Sequence, residues 1–263
     1  MHDRNPTALI TGASGGIGYA LAKLFAKDHY NLVLVARTEA KLIEFAAELQ
    51  KQLGVTVKII AMDLADPQSP QRLFNQLEND KIAIDILVNN AGYGLVGPFA
   101  EVPLGESLGQ VDLNIRALTE MTRLFVAPMV ARKKGKVLNV ASTAAFQAGP
   151  LMAVYFATKA YVLSFSEALA NELRHNGITV TCLCPGPTET GFKNRAGGEN
   201  SRLFKVLSPM TSQQVALVGY RGLIKGKPLV IPGLRNWIVA ESSRFAPRRM
   251  ATAVSGWIVA DSD

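Results

Sequence analysis

Cysteine, histidine and tryptophan are scarce in this chain, with two, three and two residues among 263. Cys182 and Cys184 stand two apart in an apolar run, so on a strand they share a face as small buried hydrophobes, which fits a reducing compartment. His2, His29 and His175 are scattered, and no group has the spacing of a metal site. Long apolar runs are also missing. None approaches the ~20 residues needed to span a bilayer, and the polar start from Met1 to Pro6 leads into a short apolar run that stops at glycines, unlike a signal peptide. These absences predict a cytoplasmic protein with no metal and no transmembrane segment. Internal repeats and low-complexity linkers are absent too. With 48% apolar residues the chain can bury one large core, and residues 1–263 read as a single domain. The net charge of +7 comes from lysines and arginines interspersed with acids, which suits a solvated surface and an anionic cofactor better than a nucleic-acid face.

What is present alternates. Thr7 to Ile10 reads as a strand that runs into Thr11-Gly12-Ala13-Ser14-Gly15-Gly16-Ile17-Gly18, and an amphipathic helix follows from Tyr19 to Lys27. Glycines at 12, 16 and 18 let the backbone turn tightly against a pyrophosphate, whose charge meets free N–H groups and the helix dipole; Ser14 and Ile17 share that loop. An ordinary glycine loop has a similar composition, and position in an alternating chain favours dinucleotide binding. The second strand, Asn31 to Ala36, lacks the acid that would accept both ribose hydroxyls and instead ends in Arg37. That arginine either pairs with a 2′-phosphate, giving NADP(H) over NAD(H), or opens the next helix as a solvated side chain.

A helix over Thr38 to Leu53 leads to a third strand, Val55 to Met62, which ends at Asp63-Leu64. Asp63 either accepts an adenine amino group or caps a turn before Asp66 and Pro67. After a helix over Gln71 to Leu77, the strand Asp85 to Val88 closes on Asn89-Asn90-Ala91-Gly92, where amides can tie neighbouring strands and small residues leave room for a flat ligand. Val111 to Val130 reads as one long helix containing Asn114, either a mild defect or a distortion that holds a water. Gly135 to Ala141 delivers Ser142 at a strand's carboxyl end. The following helix, running to about His175, carries Tyr155 and Lys159 four apart on one face, so the ammonium can favour the phenolate. The sixth strand, Ile178 to Leu183, ends in Pro185-Gly186-Pro187-Thr188-Glu189-Thr190, a turn whose two threonine hydroxyls suit a carboxamide. Short connections between alternating strands and helices imply an α/β fold with a doubly wound parallel sheet. Residues 191–209 are basic and partly aromatic, as in a substrate lid. The tail over 233–263 mixes tryptophans with arginines, and reads either as packing on the core or a partner subunit or as an amphipathic membrane-surface segment.

Thr11-Gly12-x-x-x-Gly16-x-Gly18, Asn89-Asn90-Ala91-Gly92, Asn114, Ser142, Tyr155-x-x-x-Lys159 and Pro185-Gly186-Pro187-Thr188 stand in an order and spacing that resemble the short-chain dehydrogenase/reductase family over Thr7 to about Gly233. The resemblance implies a Rossmann-like seven-stranded sheet with helices on both faces, its last strand at Pro228 to Ile231, and a homodimer or homotetramer. It further implies Tyr155 as general acid/base, Ser142 as anchor of the substrate oxygen, Lys159 as ribose ligand and depressor of the tyrosine pKa, and Asn114 as holder of a relay water. Gly12, Ser14, Gly16, Ile17, Gly18, Arg37, Asp63, Leu64, Asn90, Ala91, Gly92, Tyr155, Lys159, Pro185, Gly186, Thr188 and Thr190 then become cofactor contacts. Arg37 matches the NADP-preferring members, although no basic residue precedes Gly16. The expected activity is hydride transfer between NADP(H) and a small-molecule carbonyl or alcohol, with Tyr93, Phe146, Met152, Phe192 and Phe204 as apolar walls. A catalytically silent dinucleotide-binding regulator and a membrane-surface ketoreductase of lipid-like substrates are the competing readings.

Overall fold

The computed structural model describes residues 5–196, 209–243 and 245–260. Its strands are the apolar runs of the sequence: β1 (Thr7–Thr11), β2 (Asn31–Ala36), β3 (Val57–Ala61), β4 (Ile86–Asn89), β5 (Gly135–Val140) and β6 (Ile178–Leu183). Thr188–Glu189 (β7) and Met210–Thr211 (β8) form a separate two-residue parallel pair, and Leu229–Val230 (β9) completes the main sheet. That sheet has seven parallel strands in the order β3-β2-β1-β4-β5-β6-β9.

Alternation along each strand sends side chains to two separate cores. Ala8 and Ile10 of β1 and Leu32 and Leu34 of β2 pack with Leu21, Phe25, Leu49 and Leu223, which belong to α1 (Gly16–Lys27), α2 (Glu39–Leu53) and α8 (Ser212–Ile224). Leu9, Val33 and Val35 face the other way, toward Leu73 and Leu77 of α3 (Ser69–Asn79) and Phe125 and Met129 of α5 (Leu118–Ala131). Helices therefore cover both faces. Cys182 and Cys184 are buried free thiols with sulfurs 3.7 Å apart, packed near Val162 of α6 (Ala153–Glu172).

Element boundaries differ from the sequence expectation in informative places. The helix expected over Val111 to Val130 starts earlier, at α4 (Leu104–Val111), and passes through a π-helical turn, Asp112–Ala117, before α5. Asn114 sits in that turn, so the distorted alternative is the one the backbone adopts. The α6 helix stops at Glu172, short of His175, because Arg174–Asn176 tightens to a 3-10 turn and Gly177 takes a left-handed φ of 75°. The tail forms two helices, α9 (Leu234–Ser242) and α10 (Arg248–Val259), whose inward residues Ala240 and Val259 are buried. The lid segment opens with a short helix, α7 (Phe192–Ala196); its residues 197–208, including Leu203 and Phe204, lie outside the described residues.

A polar tie crosses the sheet beneath the site. Asn89 Nδ2 donates to Thr122 Oγ1 and Asn139 Oδ1, both at 2.9 Å, and Asn139 Nδ2 donates to Ser166 Oγ at 3.0 Å. All four residues are buried, so losing one partner strands the others without water. Asn139→Ala is expected to destabilise the fold by about 1–3 kcal/mol, measured as a lowered urea midpoint at constant slope. An unchanged midpoint would show that the tie is not needed.

Candidate active site

The order of strands reverses between β1 and β4, and a crevice opens there at the carboxyl ends of both. Thr11 joins them: its Oγ1 donates to Val88 O at 3.2 Å and accepts from the backbone N–H groups of Asn90 and Ala91, each at 3.0 Å. Asn90 returns the bond, its Nδ2 donating to Thr11 O at 2.9 Å and Gly12 O at 3.2 Å. The turn so held needs glycine. Gly12 and Gly16 have left-handed φ values of 66° and 55°, and a Cβ on Gly18 would lie 2.5 Å from both Asn90 Nδ2 and Gly12 O. The N-terminus of α1 has no side-chain cap and no acid in its first turn, which leaves its N–H groups available to an anion. Gly12, Ser14, Gly16, Ile17, Asn90, Ala91 and Gly92 line one cavity of ≈ 580 Å³. Gly18 lies behind it, where it permits the turn.

At the outer end of β2, Arg37 is exposed, with Nη1 3.9 Å from Asp63 Oδ2. Asp63 Oδ1 accepts from Ala65 N at 3.0 Å, the turn-capping alternative. Leu64 is buried in the core against α3 and α5, and does not line the cavity. Lys41, which the sequence reading passed over, does line it. Arg195 lines it too, with its guanidinium 4.1 Å from the Tyr93 ring centroid; burial and the nearby Arg37 lower its pKa. Lys41 and Arg195 thus line the cavity, whereas Arg37 and Asp63 do not, although Arg37 lies near enough to Arg195 to affect its pKa.

Ser142 leaves β5 and caps the 3-10 turn Thr143–Phe146, accepting from Ala144 N at 3.1 Å. Tyr155 and Lys159 rise from α6 on one face, both buried. Lys159 Nζ donates to Val140 O at 2.8 Å and lies 5.7 Å from the Tyr155 ring centroid. Burial pushes the Tyr155 phenol up to about 12, against a smaller lowering by its hydrogen bond with Ser142. Burial likewise brings Lys159 down to about 8. Without a cofactor, desolvation dominates at the phenol, and the Lys159 ammonium is tied to a carbonyl beside the ring. Asn114 does not line the cavity. From the π turn its Nδ2 donates to Tyr93 O at 2.8 Å and Thr158 Oγ1 at 3.0 Å, while its Oδ1 accepts from Tyr93 N at 3.1 Å. It fastens the loop after β4 to α6, and Gly94 in that loop admits the Tyr155 ring where a Cβ would stand 2.6 Å from it.

Pro185, Gly186, Thr188 and Thr190 form the wall after β6. Thr188 Oγ1 donates to Gly186 O at 2.9 Å, and Thr190 Oγ1 accepts from Phe192 N at 3.1 Å. Of the expected apolar walls, Tyr93, Met152 and Phe192 line the cavity, Phe146 packs away from it, and Phe204 lies outside the described residues. Val239 of α9 and Ser255, Ile258 and Val259 of α10 close the far side, with Val259 packed among Met152, Tyr155 and Phe156. Their helical spacing of three and four residues was the available signal; the alternating tryptophans and arginines of the outer face drew the reading instead. Gln147 also lines the cavity, and its Oε1 is buried with no hydrogen-bond partner among the described residues.

Residues 6–201 match the family described as short chain dehydrogenase, and the chain belongs to that family. It is 38% identical over 186 residues to a very-long-chain 3-oxoacyl-CoA reductase of Phaeosphaeria nodorum, a match covering 68% of this chain and 54% of the relative. The chain thus spans about half the length of that curated relative. Two solved structures are similar over most of their length. A short-chain dehydrogenase from Sphingobium yanoikuyae in complex with NADPH has 33% identity and a TM-score of 0.81, covering 91% of this chain and 94% of the other. The bulky-bulky ketone specific alcohol dehydrogenase from Comamonas testosteroni has 30% identity and a TM-score of 0.78, covering 91% and 92%.

The clash at Gly18 gives a direct test of the turn. Gly18→Ala is expected to displace Asn90 and weaken NADPH binding tenfold or more, about 1.4 kcal/mol, in a fluorescence titration. An unchanged Kd would mean the turn yields without cost.

Proposed function

We propose that this protein is an NADP(H)-dependent oxidoreductase that interconverts a carbonyl compound and its secondary alcohol. The observation that carries the reading is the convergence of Ser142, Tyr155 and Lys159 on the same cavity as the glycine turn. A silent dinucleotide-binding regulator would have no use for that convergence. Bound nicotinamide supplies the hydride. The turn at Gly12 and Gly16 and the free end of α1 take the pyrophosphate, Gly92 and Gly186 leave room for a planar ring, and Thr188 and Thr190 offer hydroxyls to its carboxamide. Arg37 and Lys41 meet a 2′-phosphate, with Arg195 near enough to add to the positive field.

Burial holds the Tyr155 phenol protonated before the cofactor binds, and in the reductive direction it acts as an acid. Its Oη donates to the substrate oxygen, which Ser142 Oγ holds by a second hydrogen bond. Lys159 and Asn114 act from behind, Lys159 holding the ribose and lowering the phenol once the site is filled, and Asn114 fixing the loop after β4 to the helix that carries Tyr155 and Lys159. The apolar wall of Met152, Phe192, Ile258 and Val259 supports a bulky lipophilic ketone or acyl substrate. Reduced buried thiols suit the cytoplasm, and exposed Leu104 and Leu108 on α4 suit a homo-oligomer.

Tyr155→Phe is expected to lower kcat roughly 10²–10⁴-fold while leaving NADPH affinity measurable; near-normal turnover would remove Tyr155 as the acid. Arg37→Asp is expected to shift the kcat/KM ratio toward NADH by about tenfold or more. A constant ratio would place phosphate recognition on Lys41 and Arg195.

A further inference from the structure

The two C-terminal helices have unlike faces. Inward, Val239, Ser255, Ile258 and Val259 line the cavity. Outward, Leu234, Trp237 and Ile238 of α9 are 73%, 49% and 52% exposed, and Met250, Val254 and Trp257 of α10 are 61%, 57% and 56% exposed. Spacings of three and four residues put each set on one stripe. Phe245, between the helices, is 88% exposed. Exposed Arg235, Arg248 and Arg249 stand among these residues against one acid, Glu241, within the described part of the tail.

We propose that α9, Phe245 and α10 form a docking face for the surface of an anionic lipid bilayer. Aromatic and aliphatic side chains on one side of a short helix, with arginines beside them, are what an interfacial helix needs: rings settle among the headgroups, and cations meet lipid phosphates and carboxylates. A second copy of the chain suits the face less well. An isologous interface would bring the same excess of arginines toward itself, whereas an anionic surface complements it. No helix among the described residues is long and apolar enough to cross a membrane, so the contact is with one leaflet. The cavity lies on the opposite side of these helices, so a lipophilic substrate would pass from the bilayer between or beside them; this consequence rests on the reductase reading above, and the docking face does not.

The test is co-sedimentation of the full chain with vesicles of phosphatidylcholine alone and of phosphatidylcholine mixed with phosphatidylserine. Binding is expected to be about tenfold tighter with phosphatidylserine and to weaken with salt. The pair Trp237→Ser and Met250→Ser should lose binding to both vesicles. The pair Arg248→Glu and Arg249→Glu should lose the preference for phosphatidylserine. All four positions are exposed, and unchanged melting would confirm that the variants fold. No binding to the mixed vesicles, or equal binding by the wild type and the Trp237/Met250 variant, would overturn the proposal. So would a wild-type dimer that the same variant splits in light scattering with no vesicle binding by either, since the face would then belong to a second copy. Sedimentation needs no turnover: vesicle binding by a chain that reduces no ketone would sink the reductase reading and leave the docking face standing.

Discussion

The arrangement depends on one reciprocal clamp. Thr11 and Asn90 exchange hydrogen bonds across the gap between β1 and β4, where the strand order reverses. A parallel sheet leaves such a gap wherever winding reverses, and without the clamp the glycine turn would have many conformations to lose on binding. The clamp also explains the glycines. Gly12 supplies the carbonyl that Asn90 holds, and Gly18 supplies the space in which that amide sits. One small polar contact therefore fixes the backbone N–H groups of α1 before any anion arrives, a preorganisation that lowers the cost of binding.

Burial sets the chemistry at the other end. Tyr155 and Lys159 occupy a place poor in water, and the first effect is to keep each neutral form more accessible than in solution. The tyrosine is therefore stored as an acid, and the lysine stands closer to neutrality than a surface lysine. A dinucleotide adds charge and hydrogen bonds to this dry site, and each is strengthened there because little solvent screens it. The protein alone holds the residues in place; their final ionisation belongs to the filled site.

Much of this was legible in the sequence because it rests on local rules. Apolar runs bounded by glycine and asparagine gave strands, glycine spacing gave the turn, and the four-residue interval put Tyr155 beside Lys159. What escaped was set by distant packing. Lys41 joins the cavity because α2 begins where it does, and Val259 reaches Tyr155 only because the chain returns over α6 after more than a hundred residues. Tyr155's raised pKa was missed for the same reason: sequence displays the charged neighbour, whereas desolvation is a property of everything around it. Leu64 shows the converse error, in which a residue beside a site is taken as part of it although its side chain serves the core.

The π turn at Asp112–Ala117 has a further consequence. A π turn amounts to one surplus residue in an α-helix, so α4 and α5 are out of phase with each other. Removing one residue there would heal the hydrogen-bond ladder and give a better helix, while swinging everything on one side by about 100°, a residue's share of a 3.6-residue turn. Asn114 would then leave Tyr93 and Thr158. The chain keeps a poorer helix to hold a loop in place.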